Sequence, residues 1–188
     1  MTATELAYCD SLIQSKVKFQ KSFVDDNEKH DSQLLEEEQR TSTFVSLQKL
    51  QNAPVASLER RAAELLGLTV EQMEPLQLVR YREGEFFGLH HDLGVLYEDQ
   101  SVQLPPRQVW CRRRMATLFV YLNNVEQGGC TYFPECNHLR VQPRRGRAVL
   151  FCNIHENGTP NVKTVHAGEA VLGKGNVKYG MNIWACEE

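Results

Sequence analysis

The strongest constraint on the fold is a series of short strand-like runs after Pro75. Each run is rich in β-branched and aromatic residues, and the runs are separated by Gly, Pro and Asn residues, which are typical of turns. The runs are LQLVRY, EFFGLHHD, MATLFVYL, CTYF, LRVQ, RAVLF, VKTVHA and VKYGMNIWA. So many short strands predict two packed sheets, in a β-sandwich or a jelly roll.

Two helices are predicted ahead of these strands. Apolar residues recur at helical spacing from Thr4 to Val17, and Pro54 opens the helical segment VASLERRAAELLG, which ends at Gly67. Between them, RTSTFVSL predicts a strand, and the charged run from Asp25 to Arg40 predicts a surface loop. The predicted fold class is α+β, with a double-stranded β-helix (jelly-roll) core and N-terminal supporting helices.

A chain of 188 residues is long enough for one domain with a core. We expect a single domain over residues 1–188, in which 1–70 are mainly helical support and 71–188 form the jelly-roll core. A net charge of −3 gives no positive electrostatic field that would attract a phosphate backbone, so nucleic acid is not an expected partner. No apolar run reaches the roughly 20 residues of a membrane span. The N-terminus also lacks a signal-peptide pattern, so we expect a cytoplasmic protein; the sequence does not indicate its oligomeric state.

The cysteines show no C-x-x-C pair, which argues against a structural zinc site and favours reduced thiols. They are Cys9, Cys111, Cys130, Cys136, Cys152 and Cys186. Cys130 and Cys136 flank TYFPE and could approach each other, so their pairing stays open.

Two histidines and an aspartate stand side by side in FFGLHHDLGV. If this run is a strand, side chains alternate, so His90 and Asp92 point one way and His91 points the opposite way. A histidine and a carboxylate on one face are the start of a 2-His-1-carboxylate triad, which binds Fe(II) and leaves three positions open. The alternative is a polar strand edge, on which a backbone carbonyl satisfies His90.

A triad needs a second histidine from elsewhere in the fold. His30 lies in the charged run, His138 follows PECN in a predicted turn, and His155 lies in the loop-like segment FCNIHENGTP. His166 lies in KTVHAG, a β-branched run near the C-terminus, where a late strand can pair near the first. His166 is therefore the predicted third ligand.

A long segment from Leu93 to Arg113 interrupts the strands directly after Asp92. Loops of this length are often functional. Its Leu104-Pro105-Pro106 stretch, Trp110 and the arginines up to Arg114 could grip an extended peptide, as a lid does. The alternatives are a solvated charged face and a tryptophan that packs in the structure.

The motifs in this order resemble the prolyl 4-hydroxylase family of Fe(II)/2-oxoglutarate-dependent dioxygenases. The resemblance runs from Arg40 onward, with a looser match in the helix before the strands. It rests on RTSTF, EPLQLVRYREGEFFGLHHD, RMATLFVYLNNVEQGGCTYFP, VQPRRGRAVLF and TVHAGEAVLGKGNVKYGMNIW. The family implies a jelly roll that uses Fe(II), 2-oxoglutarate and O2, with L-ascorbate as a further cofactor.

The resemblance also implies a role for each matching residue. His90, Asp92 and His166 would form the catalytic iron centre. Lys178, followed six positions on by Trp184, would bind the C5 carboxylate of 2-oxoglutarate, since the alternative Lys174 lacks a tryptophan at that spacing. The remaining matches are Tyr81 and Thr131 for the co-substrate, and Arg114, Trp184 and Phe87 at the substrate side.

Three departures from the family pattern stand out. The segment between His166 and Lys178 is about two residues longer than usual, which predicts a bulging turn. Phe87 replaces a tyrosine common among relatives, and Ala170 replaces a proline. None of these removes a ligand, but Phe87 weakens any transfer of substrate identity.

The leading hypothesis is hydroxylation of prolyl residues in a protein or peptide, with release of succinate and CO2. The first alternative is an enzyme with the same iron centre that hydroxylates a free amino acid or another small metabolite. The second is a non-catalytic jelly-roll binding module, against which the complete ligand set argues. Nucleic-acid demethylation shares the chemistry, but the acidic balance of the chain disfavours it.

Overall fold

The structure is a computed structural model that describes residues 1–15, 17–22, 39–104 and 113–187. Among these residues, two complete α-helices lie before the main strands. Helix α1 spans Ala3–Gln14 and helix α2 spans Ala53–Leu66. Short 3₁₀ turns lie at Val70–Gln72 and Val162–Thr164.

Local capping explains where these helices begin and end. Asn52 accepts a hydrogen bond from Val55 N, and Gly67 ends α2 in the left-handed region at φ 67°, as its sequence predicts. The predicted end of α1 at Val17 is wrong. That helix stops at Gln14, because Ser15 is extended and its hydroxyl donates to the carbonyl of Leu12.

In the part of the chain that the structure describes, twelve strands form three antiparallel sheets. The strands are β1 Gln20–Lys21, β2 Thr43–Ser46, β3 Gln77–Arg82, β4 Phe87–His90, β5 Val95–Leu96, β6 Val102–Gln103, β7 Arg114–Tyr121, β8 Thr131–Phe133, β9 Leu139–Val141, β10 Ala148–Cys152, β11 His166–Gly168 and β12 Val177–Cys186. The large sheet has the order β1-β2-β3-β12-β7-β10, and a four-stranded sheet has the order β4-β11-β8-β9. All eight predicted runs contain strands of these two sheets, and the α+β jelly-roll prediction is confirmed.

The large sheet divides the apolar residues into two clusters. One face packs on α1 and α2, through residues such as Leu78, Val120 and Ile183. The other face carries Val79 and Phe119, with tyrosines among the apolar side chains. Alternation along each strand creates this division, since neighbouring residues point to opposite faces.

The structure differs in part from two predictions, the helical character of residues 1–70 and the long loop after Asp92. Strands β1 and β2 precede residue 70 and join the large sheet, while the division of the domain at that point stays a prediction. The segment after Asp92 contains the hairpin β5–β6 and is not a continuous loop. Its residues 105–112, with Trp110 and Arg112, lie outside the described residues, as does most of the charged run that holds His30.

The described cysteines form no disulfide. Cys130 is buried and Cys136 is exposed, and both thiols are free. Reduced thiols therefore agree with the expectation from the sequence. Among the described residues, no helix is long and apolar enough to cross a membrane.

Candidate active site

Three side chains from distant parts of the chain converge between the two larger sheets. His90 ends β4, Asp92 follows it, and His166 begins the adjacent strand β11, where the two histidines are register partners. One potential ligand atom from each residue lies within 4.8 Å of the others. Nε2 of His90 is 3.6 Å from Oδ1 of Asp92, and Nε2 of His166 is 4.0 Å from Oδ2. One cation between them could contact all three.

His90 and Asp92 lie together as expected, but strand alternation does not explain their position. Strand β4 ends at His90, and Asp92 lies in a turn that the bridge between His91 and Gly94 closes. This turn, rather than strand alternation alone, brings the carboxylate beside His90. His91 does face away from the two ligands and is buried.

Backbone carbonyls fix both imidazole ligands in the orientation that a metal site needs. Nδ1 of His90 lies 2.8 Å from Gly88 O, and Nδ1 of His166 lies 2.9 Å from Thr164 O. Each Nδ1 must donate to its carbonyl, so each Nε2 is left with a lone pair toward the centre. The hydrogen bond from His90 to a backbone carbonyl, expected for a polar strand edge, is present, and it also orients the imidazole for metal binding.

Two donors hold the outer oxygen of Asp92. The Thr117 hydroxyl donates to Oδ2 at 2.6 Å, and the Trp184 indole N–H donates to the same atom at 3.2 Å. The inner oxygen, Oδ1, remains for an ion. Burial alone would raise the pKa of this carboxyl, but the imidazoles of His166 and His90 and the Thr117 hydrogen bond hold the pKa below its usual value. The aspartate is therefore ionised, as a ligand must be.

Burial keeps His90 neutral. Removal from water, together with the neighbouring His166, places the pKa of His90 well below its ordinary value. A neutral imidazole and an ionised carboxylate are the ligand forms that bind a divalent cation. The other histidines considered from the sequence, His138 and His155, are exposed and lie outside this group.

Lys178 is the most unusual charge near the site. Its side chain is 1% exposed, and among the described residues it has no ion pair or hydrogen bond. Its Nζ lies 4.9 Å from the ring centre of Tyr81 and 5.3 Å from that of Phe119. Burial lowers the pKa of Lys178 to about 8. A buried cation without a carboxylate is costly, and an anionic ligand would relieve that cost.

The sequence alternative, Lys174, is exposed in the turn before β12. Tyr81 pairs with Lys178 across β3 and β12, so the predicted co-substrate tyrosine lies beside the lysine. Thr131 is buried on β8, and its hydroxyl lies 2.6 Å from that of Tyr121.

Two residues of the site were missed from the sequence. Thr117 and Tyr121 lie on β7 at alternate positions, both facing the site, where they contact Asp92 and Thr131. The available signal was a threonine and a tyrosine four positions apart, with Phe119 midway between them, in the otherwise apolar strand MATLFVYL. Period-two spacing would have put them on one face.

The residues predicted at the substrate side have partners within the protein. Arg114 makes two hydrogen bonds to Glu74, at 2.7 and 2.9 Å, and its guanidinium lies 3.7 Å from the ring centre of Trp184. Phe87 stacks on the His90 ring with centroids 3.6 Å apart. The structure therefore places all three beside the ligands, while their contact with a substrate stays a prediction.

Comparison with known proteins agrees with this geometry. Residues 76–186 match the family model of the 2OG-Fe(II) oxygenase superfamily. The chain belongs to this superfamily. The match begins just before β3 and ends with β12, so it includes each predicted iron and co-substrate residue.

Its relatives lie among the prolyl 4-hydroxylases. The chain is 33% identical over 182 residues to Probable prolyl 4-hydroxylase 7 of Arabidopsis thaliana, with 87% of this chain and 54% of that protein covered. The chain thus spans about half the length of that relative, and 60% of two further Arabidopsis relatives. These relatives are named prolyl 4-hydroxylases, the family that the motifs of the sequence resemble.

Two solved structures share the fold. The viral collagen prolyl hydroxylase of Paramecium Bursaria Chlorella virus-1, in its 2OG complex, has a TM-score of 0.62 and 25% identity, with 78% of each chain covered. A prolyl hydroxylase of Trichoplax adhaerens, in complex with a hypoxia inducible factor peptide fragment, has a TM-score of 0.63 and 17% identity, with 97% of this chain and 77% of that chain covered. The second likeness concerns the fold alone.

The donor set fits the iron that this superfamily uses. Two imidazoles held at Nδ1 by backbone carbonyls, together with one ionised carboxylate, form the 2-His-1-carboxylate set typical of non-haem Fe(II). Hydrogen bonds to the outer atoms of all three ligands complete the support that such sites require.

Proposed function

We propose that this protein hydroxylates prolyl residues in a peptide or protein segment, with consumption of 2-oxoglutarate and O2 and release of succinate and CO2. The observation that carries the proposal is that two complementary features lie against the same face of the large sheet. The His90, Asp92 and His166 set can hold Fe(II), and the unpaired Lys178 can bind a carboxylate. Similarity to named prolyl 4-hydroxylases supports the choice of substrate class.

The residues of the chain would bind and orient the reactants. His90, Asp92 and His166 would hold the iron on one side and leave the other side open to 2-oxoglutarate and O2. When bound, iron supplies the redox chemistry that couples decarboxylation of 2-oxoglutarate to insertion of one oxygen atom into a C–H bond. Thr117 and Trp184 would keep Asp92 ionised and aimed at the ion.

Lys178 would pair with the C5 carboxylate of 2-oxoglutarate. The Thr131 hydroxyl, which Tyr121 holds, and the neighbouring Tyr81 would line the same end of the pocket. A charge-assisted bond away from water is strong and directional. This pairing would fix the distance of the keto acid from the iron and exclude water from the buried end.

The substrate would approach past Phe87, whose ring covers one side of His90. Arg114 and Trp184 would then form the polar wall of the substrate side, held in place by Glu74 and Asp92. We also propose that L-ascorbate supports turnover as a reductant. The cytoplasmic location stays a prediction to be tested on the whole protein.

A coupled assay tests the substrate class. The protein with Fe(II), 2-oxoglutarate and ascorbate is incubated with a proline-containing peptide, and with the same peptide in which alanine replaces proline. We expect peptide-dependent release of succinate and a mass gain of one oxygen on proline, with neither for the alanine peptide. Turnover that ignores both peptides but rises with free proline would favour the small-metabolite alternative, and absence of succinate under every condition would favour a binding module.

A further inference from the structure

His91, between two of the iron ligands, is buried without contacting the pocket. The residue is only 4% exposed. Leu93 N donates to Nδ1 at 3.2 Å, so Nδ1 carries the lone pair and the hydrogen lies on Nε2. Nε2 is 3.1 Å from Asn161 O and 3.1 Å from the Thr164 hydroxyl. Both ring nitrogens therefore have partners, and these belong to two different segments.

The two segments are those that present Asp92 and His166. On one side, the bond from Leu93 stabilises the turn that holds Asp92. On the other side, Asn161 and Thr164 bound the 3₁₀ turn that leads directly into His166. Thr164 uses its hydroxyl toward His91 and Asn161, and its carbonyl accepts from Nδ1 of His166. The His91 imidazole thus belongs to the residue next to Asp92, and it is connected to His166 through hydrogen bonds to a single residue, Thr164.

Strand pairing alone does not fix these two ligands relative to each other. Strands β4 and β11 pair at His90 and His166, and the register shifts before the next pair, Phe87 and Gly168. Strand β4 ends at His90, so Asp92 lies beyond the ladder. The distance from the carboxylate to His166 must therefore depend on contacts outside this pair of strands.

A second hydrogen-bonded route reaches the same turn from Asp92. Thr117 donates to Asp92, and Nδ2 of Asn153 donates to the Thr117 hydroxyl at 3.0 Å. The backbone of Asn153 then accepts from Asn161 N at 2.9 Å. The two routes meet at Asn161, and together they close a ring of hydrogen bonds around the back of the ligand set.

We propose that His91 is a positioning residue that ties the turn of Asp92 to the turn before His166 and so sets the spacing between these two iron ligands. Only a side chain that accepts on one edge and donates on the other can satisfy Leu93 N and Asn161 O together, which a neutral imidazole does. The proposal rests on the iron site within the proposed function, and not on the prolyl substrate. Metal binding without any substrate therefore tests it separately.

The test compares variants by the dissociation constant for Mn(II), used in place of Fe(II) because it is stable in air. His91→Phe removes all three hydrogen-bond contacts of the ring while it keeps a planar ring. His91→Asn keeps an acceptor near Leu93 N but is too short to reach Asn161. Ile183→Val, on the helix-facing side of β12, serves as a control that lowers stability without a contact to the ligands.

We expect His91→Phe to raise the Mn(II) dissociation constant by about 10–100-fold, the range typical when a group that orients a ligand is lost. His91→Asn should shift it in the same direction, and it keeps the proposal testable if the phenylalanine variant does not fold. Ile183→Val should lower the thermal midpoint and leave Mn(II) affinity unchanged. The Mn(II) electron paramagnetic resonance spectrum should change only in the His91 variants.

Two results would overturn the proposal. One is wild-type Mn(II) affinity in the folded His91 variants. The other is an equal loss of affinity in Ile183→Val at the same loss of thermal stability, which would show a general effect of destabilisation. If Mn(II) affinity falls as expected but no peptide is hydroxylated, the positioning role stands and the proposed substrate class fails.

Discussion

The two faces of the large sheet come from the same strands but differ in what they bury. On β7, Ala116, Leu118 and Val120 face the helices, while Thr117, Phe119 and Tyr121 face the site. On β12, Met181, Ile183 and Ala185 face the helices, while Lys178 and Trp184 face the site. On these two strands the named helix-facing residues are all apolar, whereas the other face buries polar and charged groups.

This difference separates stability from chemistry within single strands. Apolar burial on the helix side lowers the free energy of the folded state by about 25 cal/mol per Å². On the site side, Lys178 contacts aromatic rings but has no ion pair or hydrogen bond among the described residues, so its burial opposes folding until a ligand arrives. Substitutions on one face should therefore change stability, and substitutions on the other should change ligand affinity.

The largest effect on the site face is expected for Asp92→Ala. Loss of the only carboxylate of the ligand set should weaken Fe(II) or Mn(II) binding by more than the roughly 10–100-fold that follows loss of an orienting group. Calorimetric titration of the folded protein measures the change. Asp99→Ala, at an exposed turn, is the control and should bind metal normally. Normal metal binding in Asp92→Ala would contradict the assignment of metal binding to the site face of the sheet.

Lys178→Met tests the other end of the pocket. The change removes the charge but keeps most of the volume, so 2-oxoglutarate should lose a buried ion-pair partner, worth about 3–5 kcal/mol or roughly 100-fold or more in dissociation constant. Metal affinity should stay near the wild-type value. Lys174→Ala provides the matched control at an exposed lysine. Joint loss of metal and 2-oxoglutarate binding would contradict the assignment of Lys178.

Ile183→Ala tests the helix-facing side. Residue 183 is 2% exposed, and the truncation should lower the free energy of unfolding by about 2–5 kcal/mol through lost burial and the cavity left behind. Chemical denaturation measures this loss. Metal and 2-oxoglutarate affinities, measured at low temperature on the folded protein, should not change. A large drop in either affinity would show that the two faces are not independent.

The smallest effect is a pH dependence on the site face. The pKa of Lys178, lowered to about 8 by burial, means that the lysine loses its proton above that pH, while an unfolded lysine keeps it up to its ordinary range. The stability cost of the buried charge is thus present below about pH 8 and is relieved as the pH rises above it. Binding of 2-oxoglutarate needs the protonated form.

The dissociation constant of 2-oxoglutarate should therefore rise above about pH 8, toward tenfold per pH unit, in the wild-type protein. The same series with Lys178→Met should be flat because no proton is involved. Parallel slopes in the two proteins would assign the pH dependence to another group.

The sequence predicted the parts of this arrangement that depend on local pattern. Alternating apolar residues located the strands, and the tyrosine-to-lysine pairing on β3 and β12 agrees with the motifs that resemble the family. Pro54 and Gly67 marked the start and the end of α2 correctly. These features depend on neighbours within a few residues, which a sequence displays directly.

The remainder depends on contacts between distant residues. Asp92 receives hydrogen bonds from Thr117 and Trp184, which are 25 and 92 positions away, so its support becomes visible only when the strand register is known. The exact end of α1 was missed because a single serine side chain decided it. His91 was correctly turned away from the iron ligands, but its partners in the turn before His166 could not be read from the sequence.

Anaerobic titration of the iron-loaded protein with 2-oxoglutarate tests the central claim most directly, since chelation of Fe(II) by a 2-oxo acid produces a visible charge-transfer absorption. We expect a saturable band in the wild-type protein and no band in Asp92→Ala. Lys178→Met should reach the same final intensity only at much higher 2-oxoglutarate concentration. Binding of 2-oxoglutarate with no such band, or an equal band in Asp92→Ala, would contradict the claim that one face of the sheet holds both the iron and the co-substrate.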